Sequence, residues 1–149
     1  MTLIDRLSKL DGADREVDAE IWLIELQSAK TDPFGGYGLA EDWRHEYEAE
    51  EDGSVSQYAC NGQVSTKIGR CHSPKFTSSV DAAIALARRL WPDVMYRVGN
   101  HAEGYDPSLY LGEIFIPGET QRDYFNGVSS SDAIALCIAI LRAKEALNG

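Results

Sequence analysis

A chain of 149 residues that is 44% apolar and 26% charged has the composition of one folded domain with its own core, which excludes a largely disordered protein. Fourteen Lys and Arg against twenty-four Asp and Glu leave a net charge of −10, a balance that repels phosphate backbones and speaks against ordinary nucleic-acid binding by counterion release. No apolar run reaches the roughly 18 residues that cross a bilayer, so no membrane association is expected. The opening Met1-Thr2-Leu3-Ile4-Asp5-Arg6 lacks a basic stretch followed by an apolar one, and three cysteines form no framework; both point to a reducing cytoplasm.

In chain order, Thr2-Leu3-Ile4-Asp5 has the spacing of a capping box, with Asp5 as a shorter stand-in for Glu. Leu3, Ile4, Leu7 and Leu10 follow at helical spacing and Gly12 ends the helix. A second helix is predicted from Asp14 to Gln27, with Val17, Ile21, Ile24 and Leu26 as its core stripe and Trp22 widening it. Asp32-Pro33-Phe34-Gly35-Gly36-Tyr37-Gly38 reads as a connector. It lacks the preceding apolar strand and the Gly-Lys-Ser/Thr that a phosphate loop needs.

Period-two alternation then sets Trp43, His45, Tyr47 and Ala49 on one side and Arg44, Glu46, Glu48 and Glu50 on the other. Asp52-Gly53 and Asn61-Gly62 are turn signals, so a three-stranded meander is predicted between Trp43 and Ile68. Ser78 is the expected N-cap of a central helix carrying Val80, Ile84, Ala87 and Leu90-Trp91, which Pro92 stops. Strands are predicted at Val94–Val98 and Leu109–Ile116, with a loop between them. Ser129-Ser130-Ser131-Asp132 reads as a third capping box, opening a last helix apolar on most sides. The predicted architecture is a single α/β (α+β) domain over residues 1–149. It has about five mainly antiparallel strands, N-terminal helices, a central helix and a C-terminal helix.

Three stretches also resemble a known family. Leu10-Asp11-Gly12-Ala13-Asp14-Arg15-Glu16-Val17-Asp18-Ala19-Glu20-Ile21 resembles the opening of small, uncharacterised phage and prophage proteins that carry the phage ABA sandwich domain. Phe76-Thr77-Ser78-Ser79-Val80-Asp81-Ala82-Ala83 is similar to their Tyr-Thr-Ser-Ser-Ile-Asp-Ala-Ala motif, with Phe for Tyr. Ala133-Ile134-Ala135-Leu136-Cys137-Ile138-Ala139-Ile140-Leu141-Arg142-Ala143 looks like their closing helix. The likeness leaves 28–73 and 100–127 uncovered. It also departs between Leu86 and Met95, where the family makes a short turn and this helix runs on through Arg88 and Arg89. The resemblance implies α-β-α sandwich layering and phage origin, and brings no catalytic residue with it.

The candidate chemistry is thin. Cys71-His72, with Cys60 upstream, supplies one adjacent pair where zinc wants four ligands, and neighbours on a strand point to opposite faces. No metal, cofactor or nucleophilic cysteine is expected; packed free thiols are the plain reading. His45 reads as a partly buried, hydrogen-bonded histidine. His101, Glu103 and Asp106 share a polar loop that suits solvation better than acid–base work.

From Glu41 to Asp52, seven acidic residues face one Arg, −6 of the total −10. A solvated strand face that discourages edge pairing is the plain reading. The functional one is a docking surface of Glu46, Glu48, Glu50, Glu51 and Asp52, with Trp43 and Tyr47 as aromatic anchors, for a basic host or phage protein. Along the strand these glutamates recur about every 6.6 Å, near the roughly 7 Å of two phosphate steps, so mimicry of nucleic acid in a counter-defence role is geometrically conceivable. The expected function is therefore non-enzymatic binding. The alternative is a nucleotide-binding, sponge-like oligomer using Tyr37 and Tyr105, with Lys67, Arg70, Lys75 and Arg97 as the available cations.

Overall fold

Thr2 and Asp5 form the expected reciprocal cap. The Thr2 hydroxyl accepts from the Asp5 amide at 3.1 Å, and the Asp5 carboxylate accepts from the Thr2 amide at 2.9 Å. In the computed structural model, which describes residues 1–28, 44–100, 106, 108–118 and 124–148, this cap opens helix α1 (Leu3–Ser8). Then follow α2 (Arg15–Ser28), β1 (Arg44–Ala49), β2 (Ser54–Cys60), β3 (Ser65–His72), α3 (Val80–Leu90), β4 (Met95–Asn100), β5 (Tyr110–Phe115), β6 (Phe125–Ser129) and α4 (Asp132–Asn148).

The fold is mixed α+β, with all described strand pairings antiparallel. Among the described residues the strands number six rather than five, and they form two three-stranded sheets, β1-β2-β3 and β4-β5-β6, rather than one. The strand missed by the sequence reading is β6. Phe125, Gly127 and Ser129 share a face there, so its inward row is mostly Gly and Ser and carries no apolar alternation.

The chain divides into two compact units, residues 1–14 with 75–149, and residues 15–74. The second is an insertion into the first: the chain leaves after Asp14 and returns at Lys75. Within the first unit the two departure points are tied, since the Asp14 amide donates to the Thr77 hydroxyl at 2.9 Å and Thr77 donates back to the Asp14 carbonyl at 3.2 Å.

In the first unit, α4 lies on β5 and β6, and α1 and α3 pack on α4. Residues Ala133 to Leu141 are buried without a break, as the broad apolar face predicts. The helix approaches the sheet so closely because Gly112 and Gly127, cross-strand partners, lie beneath it. A Cβ on Gly127 would stand 2.2 Å from the Ala135 carbonyl oxygen, and one on Gly112 would stand 2.7 Å from the Leu136 backbone. Two caps are shifted from expectation. Ser79, not Ser78, caps α3, accepting from the Ala82 amide at 3.2 Å. Ser131 rather than Ser129 caps α4, accepting from the Ile134 amide.

In the second unit, α2 packs on β1 and β2. Ala19, Leu26 and Val55 form the centre, with Trp22, Leu23, Tyr47 and Ala49 around them. Among the described residues no helix is long and apolar enough to cross a membrane.

Candidate partner-binding face

The site begins at the hairpin turn between β1 and β2. Gly53 takes a φ of +90°, the left-handed region that favours glycine, and its amide donates to the Glu50 carbonyl at 3.2 Å. The Asp52 carboxylate closes the turn, accepting from the Ser54 amide at 3.0 Å and the Ser54 hydroxyl at 2.6 Å. Beneath it, the Arg15 guanidinium fills the space a side chain at Gly53 would need. Arg15 donates to the fully buried Asp18 at 2.7 Å and to the Ser73 carbonyl at 2.8 Å. The Ser73 amide in turn donates to the Gly53 carbonyl at 2.8 Å. The acidic hairpin is thus held from below by an ion pair whose carboxylate is buried and whose guanidinium is half-buried.

Alternation along β1 is as predicted: Glu46 and Glu48 are exposed, while His45, Tyr47 and Ala49 are half-buried. Tyr47 belongs to the core packing under α2 and is not a free anchor. Glu50 is half-buried and accepts from the Ser56 hydroxyl at 3.1 Å, whereas Glu51 and Asp52 are exposed at the turn. Trp43 lies outside the described residues, as do Tyr37, His101, Glu103 and Tyr105. Asp106 is engaged locally, its carboxylate accepting from the Ser108 amide at 2.9 Å.

No motif in the sequence announces what faces this acidic row. Register sets Glu46 beside Tyr58 and then Lys67, and Glu48 beside Ser56 and then Arg70. Cross-strand partners share a face, so carboxylates line one edge of the sheet, hydroxyls the middle and cations the other edge. A bulge makes this so. The pairing of β2 with β3 slips between Gln57 and Tyr58, passing over Ile68. Without that slip Arg70 would pair with Val55 and point to the α2 side. An open groove over this face is lined by Glu48, Glu50, Lys67 and Arg70, among others.

Arg70 and Asp52 form an ion pair on the exposed side of the turn. The Ser54 hydroxyl and amide, with Arg70 adding to them, hold the Asp52 carboxyl below its ordinary range. Loss of water at Tyr58, with Glu48 and Glu50 nearby, pushes its phenol up. Because the folded pKa of Asp52 is depressed, the turn gains from its charge above the unfolded value of about 3.9 and loses that gain as pH falls through the folded value. The Ser54 amide resonance should therefore titrate with a midpoint below about 3.9. A midpoint at or above that value contradicts the capped turn.

The other candidates are dispersed. Cys60 is buried with its sulfur 3.3 Å from the Ser65 hydroxyl. Cys71 is half-buried, which pushes its thiol up, and His72 is exposed. Among the described residues no three His, Cys, Asp or Glu side chains gather in a metal-holding arrangement. His45 buries its Nε2 with no hydrogen-bond partner among the described residues, where the sequence reading expects one. Arg97 is paired with Glu113 at 2.6 Å on the other sheet. Compared with known proteins, the chain matches no family model, no curated protein and no solved structure.

Proposed function

We propose that this chain is a non-enzymatic accessory protein of phage or prophage origin that docks a basic surface of a host or phage protein on the acidic side of the β1–β2 hairpin. The resemblance of the three sequence stretches supports the phage origin, and the α-β-α layering it implies belongs to the same proposal. The binding part rests on one observation. Glu46 and Glu48 project from an edge strand beside the exposed turn residues Glu51 and Asp52, while the alternate residues Tyr47 and Ala49 pack inward. A row of carboxylates on a rigid strand steers a cationic partner and fixes its register. The nucleotide-binding alternative draws less support, because Arg97, one of the cations it needs, is already paired with Glu113 on the other sheet.

The test is the triple change Glu46→Gln, Glu48→Gln and Glu50→Gln. Exposed like charges add little to stability, and a glutamine in place of Glu50 can still accept from Ser56. The unfolding free energy should therefore stay within about 0.5 kcal/mol of wild type or rise. Pull-down from host lysate at low and high salt should show fewer partners for the variant and a flatter salt dependence. Identical partner sets for both proteins, or no specific partner for either, overturn the proposal.

A further inference from the structure

The same sheet face carries a second pattern that needs no basic partner of another kind. Its three rows are acid on β1 (Glu46, Glu48), hydroxyl on β2 (Tyr58, Ser56) and cation on β3 (Lys67, Arg70), aligned residue by residue by the register. Glu46, Glu48, Lys67 and Arg70 all emerge to solvent, while Ser56 is fully covered by its neighbours.

Of the two-fold stackings of this face on a copy of itself with the axis in the plane of the sheet, two keep the strands aligned. An axis across the strands sets β1 on β1, carboxylate over carboxylate, and is repulsive. An axis along β2 sets β1 of each copy over β3 of the other, so Glu46 meets the second copy's Lys67 and Glu48 meets its Arg70, whose guanidinium already pairs with Asp52 of its own chain and is about half exposed. Every contact then occurs twice, as a closed isologous pair requires, and the strands of the two sheets run nearly aligned, the usual angle for stacked sheets. We infer that two copies of this chain associate through the outer face of β1-β2-β3 about an axis parallel to β2, with the acidic row of each on the cationic row of the other.

The face is small. Three strands about 4.8 Å apart and roughly 20 Å long give about 300 Å² per copy, or about 600 Å² in all, below the roughly 1,000 Å² of a stable interface, so the pairing of charges has to carry a weak contact. At physiological ionic strength the screening length is about 8 Å, so the net −10 of each chain is damped while charges in contact are not.

The experiment is sedimentation equilibrium of the full chain at 0.15 M salt, up to about 1 mM protein, a limit set by the weak class of contact. The wild type should show reversible dimerisation within that range. Glu46→Lys with Glu48→Lys makes both rows cationic, and Lys67→Glu with Arg70→Glu makes both acidic. Each variant alone should dimerise at least about tenfold more weakly. Mixed one to one, they should form a heterodimer, because every row again meets its opposite. Circular dichroism checks that both fold, and Lys67→Glu alone replaces the acidic variant if it does not. A wild type that stays monomeric throughout overturns the inference, as do variants that self-associate like wild type or fail to pair when mixed. Purified protein alone is used, so a monomeric result leaves the capture of a basic partner to its own pull-down test.

Discussion

Gly127→Ala should destabilise the protein by at least about 3 kcal/mol, at or above the top of the usual range for overpacking, because the added methyl meets backbone. The new Cβ would lie 2.2 Å from the Ala135 carbonyl oxygen and 2.9 Å from the Ala139 amide nitrogen, and neither atom can swing away as a side-chain end can. Helix α4 would have to lift from β6, loosening contacts along the run buried from Ala133 to Leu141. For a chain of this length that corresponds to a fall of roughly 6–12 °C in Tm. Gly112→Ala should behave similarly, since its Cβ would meet the backbone of Ala135 and Leu136 at 2.7 Å. Gly12→Ala and Gly99→Ala, where a Cβ meets nothing within 4 Å, should change stability by no more than about 0.5 kcal/mol. Equal melting of Gly127→Ala and Gly99→Ala would show that α4 does not sit on the glycine pair.

The second large effect is at Arg15. Arg15→Ala removes a cation 2.7 Å from a carboxylate with no exposure; breaking a fully buried pair from one side costs about 3–5 kcal/mol, and with the guanidinium 31% exposed the loss should fall at or below the lower end of that range. It also takes the donor from the Ser73 carbonyl and opens a gap beside Gly53. Arg15→Lys should recover only part of the loss, because one ammonium cannot span the carboxylate and the carbonyl as the planar fork does. The double change Arg15→Ala with Asp18→Ala should cost less than the sum of the two singles, since both singles remove the same contact. Denaturant melts of the four proteins give the coupling. Additive losses, or an Arg15→Ala protein melting within about two degrees of wild type, would reduce the pair to a surface decoration.

Local chemistry was legible in the sequence wherever one short-range rule decides. The Thr2–Asp5 cap, the alternation from His45 to Ala49 and the Asp52-Gly53 turn each depend on a few neighbouring residues. What could not be read depends on distant contacts. β6 hides because its inward positions are Gly127 and Ser129, chosen for the close approach of α4 rather than for apolar bulk. The cations facing Glu46 and Glu48 hide because their face is set by the bulge at Ile68, which no turn signal announces. Ser79 displaces Ser78 as the cap because consecutive serines offer the same chemistry, and only the backbone conformation at Ser79 selects between them. The partnership of Arg15 with the buried Asp18 joins residues three apart on one helix, and no local sequence signal marks that carboxylate as buried.

The insertion of residues 15–74 also bears on the order in which the protein is made. Those residues are contiguous, so all their sheet pairings are available once His72 has left the ribosome. The outer unit has no such freedom: α1 packs on α4, and neither β5 nor β6 has its helix until the last segment emerges. Helix α1 is too short to persist alone in water, so it waits unfolded through most of synthesis while the inserted sheet assembles. Closing so long a loop is slow, and in the folded unit the hydrogen bonds joining Asp14 to Thr77 hold the two flanks of the insertion together. A stalled chain ending before Asp132 should thus protect the amides of β2 from hydrogen exchange and leave those of β5 open.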